Sequence, residues 1–131
     1  MKYLLDTNVL IELTKGNQLI RQRATAVGLD NCFASEITVA ELLYGAYKAG
    51  IERHHHEVSF FKDNLHILQI RPCLDNYARI KVALESKGQR IDNFDLLIAA
   101  TAISSELTLV THNTKHFERI PGLTVIDWEQ E

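Results

Sequence analysis

The sequence predicts an α/β fold, a three-layer α/β/α sandwich around a mainly parallel central sheet. Three observations predict it. Short apolar runs of strand length alternate with longer stretches at helical spacing, and strands in that arrangement are mostly parallel. Two of the short runs stop abruptly in polar residues: Tyr3-Leu4-Leu5 at Asp6-Thr7-Asn8, and Leu109-Val110 at Thr111-His112-Asn113. No Pro/Gly/Ser-rich linker, repeat or low-complexity tract divides the 131 residues, so one domain over 1–131 is expected. A chain of this size buries about two-thirds of its unfolded surface and folds without a metal or disulfide staple.

In chain order, residues 2–5 form the first strand and 7–14 a short helix that ends near Gly16. Residues 19–27 carry Leu19, Ile20, Ala24 and Val27 at helical spacing, with Gly28 as the stop. Cys32-Phe33-Ala34 is a brief strand, followed by a helix over 38–49 closed by Gly50. A polar helix over 52–64 leads into an apolar strand at 66–70, which Pro72 cuts off. Residues 76–86 place Ile80, Ala83 and Leu84 on one helical face, with Gly88 as the cap. The stretch 94–105 is strongly apolar and helical. Strands follow at 107–110 and 124–126, joined through residues 114–117 and the turn Pro121-Gly122. Periodicity leaves the strand order open.

Composition is ordinary for a globular protein, with 46% apolar and 24% charged residues. A net charge of −3 makes no bulk electrostatic case for nucleic acid, while leaving room for a local basic rim. Cys32 and Cys73 have no second sulfur or histidine at ligand spacing, so both are read as free thiols in or near the core, in a reducing compartment. No stretch approaches the roughly 20 apolar residues of a membrane span. The N-terminus reaches Asp6 too soon for a signal peptide, and a soluble, cytoplasmic protein is expected. His54-His55-His56 is read as a solvated helix face; of the six histidines, His112 and His116 are the two set near Asp6, Glu41 and Asp95, and none is assigned a catalytic role.

Asp6, Glu41 and Asp95 each have an ordinary structural reading. Asp6 before a helix is an N-cap. Glu41, three residues after Thr38, completes a capping box with Thr38 as N-cap. Asp95 in a first turn suits the helix dipole, and Asp92 is available to cap the same helix. Their joint occurrence is more informative. Each adjoins a core-forming segment, none has an obvious cationic partner, and converging carboxylates raise one another's pKa unless a cation sits between them. Hard carboxylate oxygens suit Mg²⁺ or Mn²⁺. Thr111 and Asn113 end another strand and fall on the same rim as Asp6, though Thr and Asn are also common turn residues.

Four segments in order, LLDTNVLI (4–11), ITVAEL (37–42), DLLIAATA (95–102) and LVTHNTKHFERIPGL (109–123), together with the Asp127-Trp128 ending, resemble the PIN-domain ribonucleases, specifically the VapC toxins of bacterial toxin–antitoxin modules. The resemblance covers essentially the whole chain. It implies a PIN-like fold in which Asp6, Glu41 and Asp95 are acidic metal ligands and Asn113 takes a fourth position where PIN domains often carry Asp. The amide removes one charge, which weighs against a fully occupied second metal site. Thr7 and Thr111 match hydroxyls that support the site. Arg90 and Phe94 depart from the family's frequent Pro and Asn.

The resemblance further implies a Mg²⁺- or Mn²⁺-dependent endoribonuclease that hydrolyses RNA with water, a cognate VapB-like antitoxin and a homodimer. Lys15, Lys87, Arg90 and Lys115 are candidates for RNA phosphate contacts, each otherwise a solvated surface charge. Tyr44, Tyr47 and the apolar excess of residues 37–49 serve either an antitoxin groove or the core, with Leu42 and Leu43 read as core. Two rivals stand beside this reading. One is a non-catalytic PIN-fold binding module. The other is an aspartyl-nucleophile phosphatase, which normally wants a second Asp where this chain has Asn8.

Overall fold

The structure, a computed structural model, describes residues 1–130. Its sheet has five strands, all parallel: β1 (Tyr3–Leu5), β2 (Cys32–Ser35), β3 (His66–Leu68), β4 (Thr108–Val110) and β5 (Val125–Ile126), in the order β3-β2-β1-β4-β5. The helices are α1 (Thr7–Thr14), α2 (Gln18–Val27), α3 (Glu36–Ala49), α4 (Glu52–Asn64), α5 (Leu74–Ser86), α6 (Asn93–Ser104) and α7 (Thr114–Phe117). The chain runs outward from β1 through β2 to β3, then returns to lay β4 and β5 on the other flank. The order therefore reverses between β1 and β4, and the crevice beyond their C-terminal ends is where open α/β sheets bind ligands.

Both faces of the sheet are covered, as a parallel sheet requires. Alternation along the strands sends Leu4 and Leu109 into one apolar cluster with Ile80, Leu84, Ile98 and Phe117. It sends Leu5 and Val110 into the other, with Leu10, Ile20, Phe61 and Trp128. α5, α6 and α7 supply the first layer, and α1, α2 and α4 the second. Trp128 closes the second cluster edge-on to Tyr3, with ring centroids 5.5 Å apart.

Element boundaries differ from the sequence reading in three instructive places. The strand over 66–70 stops at Leu68, because the Ile70 N–H leaves the ladder to donate to Glu36 Oε1 at 2.7 Å. Residues 114–117 are a helical turn rather than a plain link: the Asn113 carbonyl accepts the His116 and Phe117 N–H groups at 3.0 and 3.2 Å, and Phe117 is fully buried. The third helix begins at Glu36, with Ser35 rather than Thr38 as its cap. Its end is as expected: Gly50 adopts φ +67°, a left-handed conformation that other residues reach only with strain.

Both cysteines are buried free thiols, and burial pushes the Cys32 thiol up to about 11. The histidine run is less solvated than its sequence suggests. His54 Nδ1 lies 2.8 Å from Glu57 Oε1, His55 packs edge-on to Tyr47, and His56 is the exposed member. Among the described residues, no helix is long and apolar enough to cross a membrane.

Candidate active site

Asp6 is the first residue after β1 and the N-cap of α1. Its Oδ1 accepts the Thr7 N–H at 2.8 Å, as the capping reading expects. Its Oδ2 is engaged as well, accepting the Thr111 hydroxyl at 2.8 Å. Thr111 follows β4 as Asp6 follows β1, and the Asp6 N–H donates to the Val110 carbonyl at 2.9 Å. The carboxylate is thus braced across the ends of two adjacent strands at the point where the strand order reverses. Asp6 is 4% exposed and Thr111 is fully buried. The Thr111 oxygen also accepts the Asn113 N–H at 3.1 Å, so the hydroxyl both donates and accepts.

Glu41 is not part of a capping box. With Ser35 Oγ accepting the Ile37 N–H, Thr38 lies inside the helix and is fully buried. The Thr7 hydroxyl lies 3.1 Å from the Thr38 hydroxyl and donates to Glu41 Oε1 at 2.7 Å. Thr7 sits one residue after Asp6, so a single dipeptide orients two carboxylates on different elements.

Asp95 stands in the first turn of α6, where the positive end of the helix dipole faces it. Asp92 caps that helix, accepting the Phe94 N–H at 3.1 Å. Asp95 Oδ2 lies 3.2 Å from Nε2 of His116 on α7.

All three carboxyls are held above their ordinary pKa, each chiefly by burial. For Asp6 the Thr111 and Thr7 hydrogen bonds oppose the rise, while the charge of Asp95 adds to it. For Glu41 the Thr7 hydroxyl opposes it, and the charges of Asp6 and Asp92 add to it. For Asp95 the His116 ring opposes it, and Asp92 and Glu41 add to it. The acids therefore lie within electrostatic reach of one another, and Asp92 joins them as a fourth anion. No Lys or Arg forms an ion pair with any of the four among the described residues.

The remaining sequence candidates spread around this rim. The Asn113 side chain is exposed and, among the described residues, hydrogen-bonds to none of the acids. Lys15 lines the same groove as Glu41. Arg90 lines a cavity of about 350 Å³ with Asp92 and Asn93. Lys115 is exposed on α7, one residue before His116. Lys87 is exposed at the end of α5, and no contact among the described residues ties it to the acids. His112 faces Asp127 and Glu129 at 3.4 Å each, which fastens the C-terminal segment beside the Asp6 brace. Sequence reasoning set His116 near these acids but gave it no role, and it missed Thr38 and the electrostatic part of Asp92. The spacing of Thr38 and Glu41 on one helical turn was a signal for Thr38, but it was read as a cap.

Comparison with known proteins identifies the family. Residues 3–123 match the PIN domain family. The chain is 36% identical to ribonuclease VapC2 of Rickettsia felis, over 99% of this chain and 100% of that one. It is also 36% identical to the tRNA(fMet)-specific endonuclease VapC of Salmonella typhimurium, over 98% of each. Among solved structures it resembles VapBC2 from Rickettsia felis, determined bound to a DNA fragment from its promoter, with a TM-score of 0.90, 35% identity and coverage of 98% and 99%. A sheet that reverses its order between β1 and β4, with the buried Asp6 carboxylate at that crevice, a match to the family over residues 3–123 and 36% identity to such a ribonuclease over nearly the whole chain, makes this protein a member of the PIN domain family, in its VapC branch.

Proposed function

We propose that this chain is a divalent-metal-dependent endoribonuclease, the toxin of a VapBC-type toxin–antitoxin pair, which hydrolyses RNA phosphodiester bonds with water as the nucleophile. One observation carries the reading. Asp6, Glu41 and Asp95 lie within electrostatic reach of one another, each held above its ordinary pKa chiefly by burial, with no Lys or Arg paired to them among the described residues. Anions gathered this way cost several kcal/mol unless a cation joins them. The donor set fits Mg²⁺ or Mn²⁺, because it offers hard oxygens and no thiolate. Among the described residues no three such side chains already close around an ion.

Asp6, Glu41 and Asp95 would hold the ion, which when bound supplies Lewis acidity to water and offsets charge on the scissile phosphate. Asp6, with both oxygens anchored, fixes the centre relative to the sheet. Thr7 orients Glu41. Asn113 contributes a neutral amide at the rim, and Lys15, Lys87, Arg90 and Lys115 meet the RNA backbone.

The partner is a VapB-like antitoxin. A groove of about 270 Å³ lined by Ile11, Leu42, Ala46, Val58 and Phe61 runs up to Glu41. An apolar helix lying in it brings a basic side chain within reach of the acids. Leu42 lines this groove while also packing on the core, whereas Tyr44 and Tyr47 are 66% and 75% exposed. A second copy of the chain completes the assembly, and the mass of the antitoxin-free protein in solution tests this.

The test of activity uses purified, antitoxin-free protein with total bacterial RNA and with initiator tRNA, in Mg²⁺, Mn²⁺ or EDTA. Discrete cuts with 5′-phosphate and 3′-hydroxyl ends, lost in EDTA and in Asp6→Asn, are the expected result. Cyclic-phosphate ends would overturn water as nucleophile. No cutting and no Mn²⁺ binding by a folded protein would leave the PIN fold as a binding scaffold, and a trapped phosphoenzyme would favour the phosphatase.

A further inference from the structure

We infer that His116 is a positioning residue for Asp95: Arg119 fixes its imidazole in one tautomer, and that tautomer presents its N–H to one Asp95 oxygen and fixes the orientation of the carboxylate at the centre. The inference rests on the nuclease reading above.

The geometry runs through three side chains. Arg119 Nη2 lies 3.1 Å from His116 Nδ1. A guanidinium only donates hydrogen bonds, so Nδ1 has to accept and the ring proton sits on Nε2. Nε2, which then carries the proton, faces Asp95 Oδ2 at 3.2 Å. A nitrogen that carries its proton does not ligate a metal, so the ring orients a ligand instead of serving as one. The contact stops the rotation of the Asp95 carboxylate, whose Oδ1 makes no hydrogen bond among the described residues.

Arg119 does more than fix the tautomer. Its Nε donates to the His116 carbonyl at 3.2 Å, and Nη2 also reaches the Arg90 carbonyl at 3.4 Å. Arg90 belongs to the segment that leads into α6, so one guanidinium ties α7, which carries the imidazole, to the approach of the helix that carries Asp95. The far side of the ring meets Phe117 edge-on, with centroids 5.3 Å apart, and Phe117 is fully buried. His116 is therefore held from the ring, from its own backbone and from the core. Partners that orient a metal ligand in this way are worth about 10–100-fold in metal affinity or activity.

The test compares His116→Ala, His116→Gln and Arg119→Leu with the wild type in the antitoxin-free protein, at one pH above the titration range of imidazole. The readouts are Mn²⁺ affinity by electron paramagnetic resonance, kcat and KM for RNA cleavage, and the imidazole tautomer by ¹⁵N NMR. His116→Ala is expected to weaken Mn²⁺ binding about 10–100-fold and to lower kcat more than it raises KM. His116→Gln, whose amide N–H reaches the same oxygen, is expected to recover most of both. NMR is expected to show the Nε2–H form in the wild type and a mixture in Arg119→Leu. A wild type that binds and cuts while His116→Ala matches it overturns the inference alone. So does an Nδ1–H tautomer, or a His116→Gln as impaired as His116→Ala. A wild type that binds no Mn²⁺ and cuts no RNA overturns the nuclease reading, and this inference with it.

Discussion

Asp6 and Asp95 are the same functional group on the same rim, yet the fold holds them by different means. Asp6 grows out of a central strand, and its two oxygens are bonded to the Thr7 backbone and the Thr111 hydroxyl within a region that water hardly reaches. Asp95 grows out of a helix, remains half-exposed, and leans on an imidazole carried by a single helical turn. The sheet ladder fixes the first carboxylate before any side-chain contact is made. The second depends on how α6 and α7 dock. One side of the site is thus a reference set by the sheet, and the other is a jaw set by the docking of two helices.

The largest effect that probes this contrast is on turnover. Asp6→Asn keeps the helix cap and a hydrogen bond with Thr111 but removes the charge, and is expected to lower RNA cleavage by on the order of 10³-fold. Its melting temperature should match or exceed that of the wild type, since a buried anion has been removed. A mutant that instead unfolds would show that the anion stabilises the brace. Lengthening each acid sharpens the comparison. Asp6→Glu pushes a methylene into a closed site and should cost about 1–3 kcal/mol in denaturant unfolding, whereas Asp95→Glu at the half-exposed jaw should stay within about 0.5 kcal/mol. Equal costs would erase the distinction.

Thr111→Val comes next. It deletes the hydroxyl that donates to Asp6 and accepts from Asn113, and is expected to reduce cleavage about 10–100-fold. It should also cost about 1.5–3 kcal/mol of stability, the range for a hydrogen bond to a charged group. Smaller still is the stabilisation by metal. Mn²⁺ at ten times its dissociation constant should add about 1.4 kcal/mol to unfolding free energy in the wild type, and nothing in Asp6→Asn.

The two sides of the site also differ in how far the sequence discloses them. Leu4-Leu5 ending at Asp6 and Leu109-Val110 ending at Thr111 read as strands that deliver polar groups to one rim, because a buried strand shows its apolar run and its stop in consecutive residues. The alternation of elements likewise gave the layers, while the strand order had to come from the fold, since pairing partners leave no local trace. Glu41 was legible as an acid on an apolar helix, but Thr38, which meets the Thr7 hydroxyl that holds Glu41, was hidden behind a plausible capping box. The His116–Asp95 contact was out of reach. It exists only because residues 114–117 coil instead of linking, and a four-residue helix has no periodicity to read. What a strand end fixes is written locally, and what two docked helices fix is not.

The smallest expected effect is the pH dependence of the ligand-free fold, and it tests whether the jaw is under strain. Asp6, Glu41 and Asp95 titrate above their ordinary values, so the folded chain binds more protons than the unfolded chain across the window that opens at the ordinary aspartate value of 3.8. Stability must then fall as pH rises through that window and level off above the raised values. This is the opposite of the acid denaturation that paired carboxylates give. Glu41 and Asp95 are half-exposed and screened by solvent, which keeps their share small. Denaturant unfolding at successive pH values, without divalent ions, should show this downward slope in the wild type and a shallower one in Asp95→Asn. Saturating Mn²⁺ should reverse it, because an ion bound to the carboxylates favours their ionised form in the folded chain, which then binds fewer protons than the unfolded chain. A slope that rises with pH in the ligand-free protein would mean that the acids are already paired, and the case for a cation between Asp6 and Asp95 would fail with it.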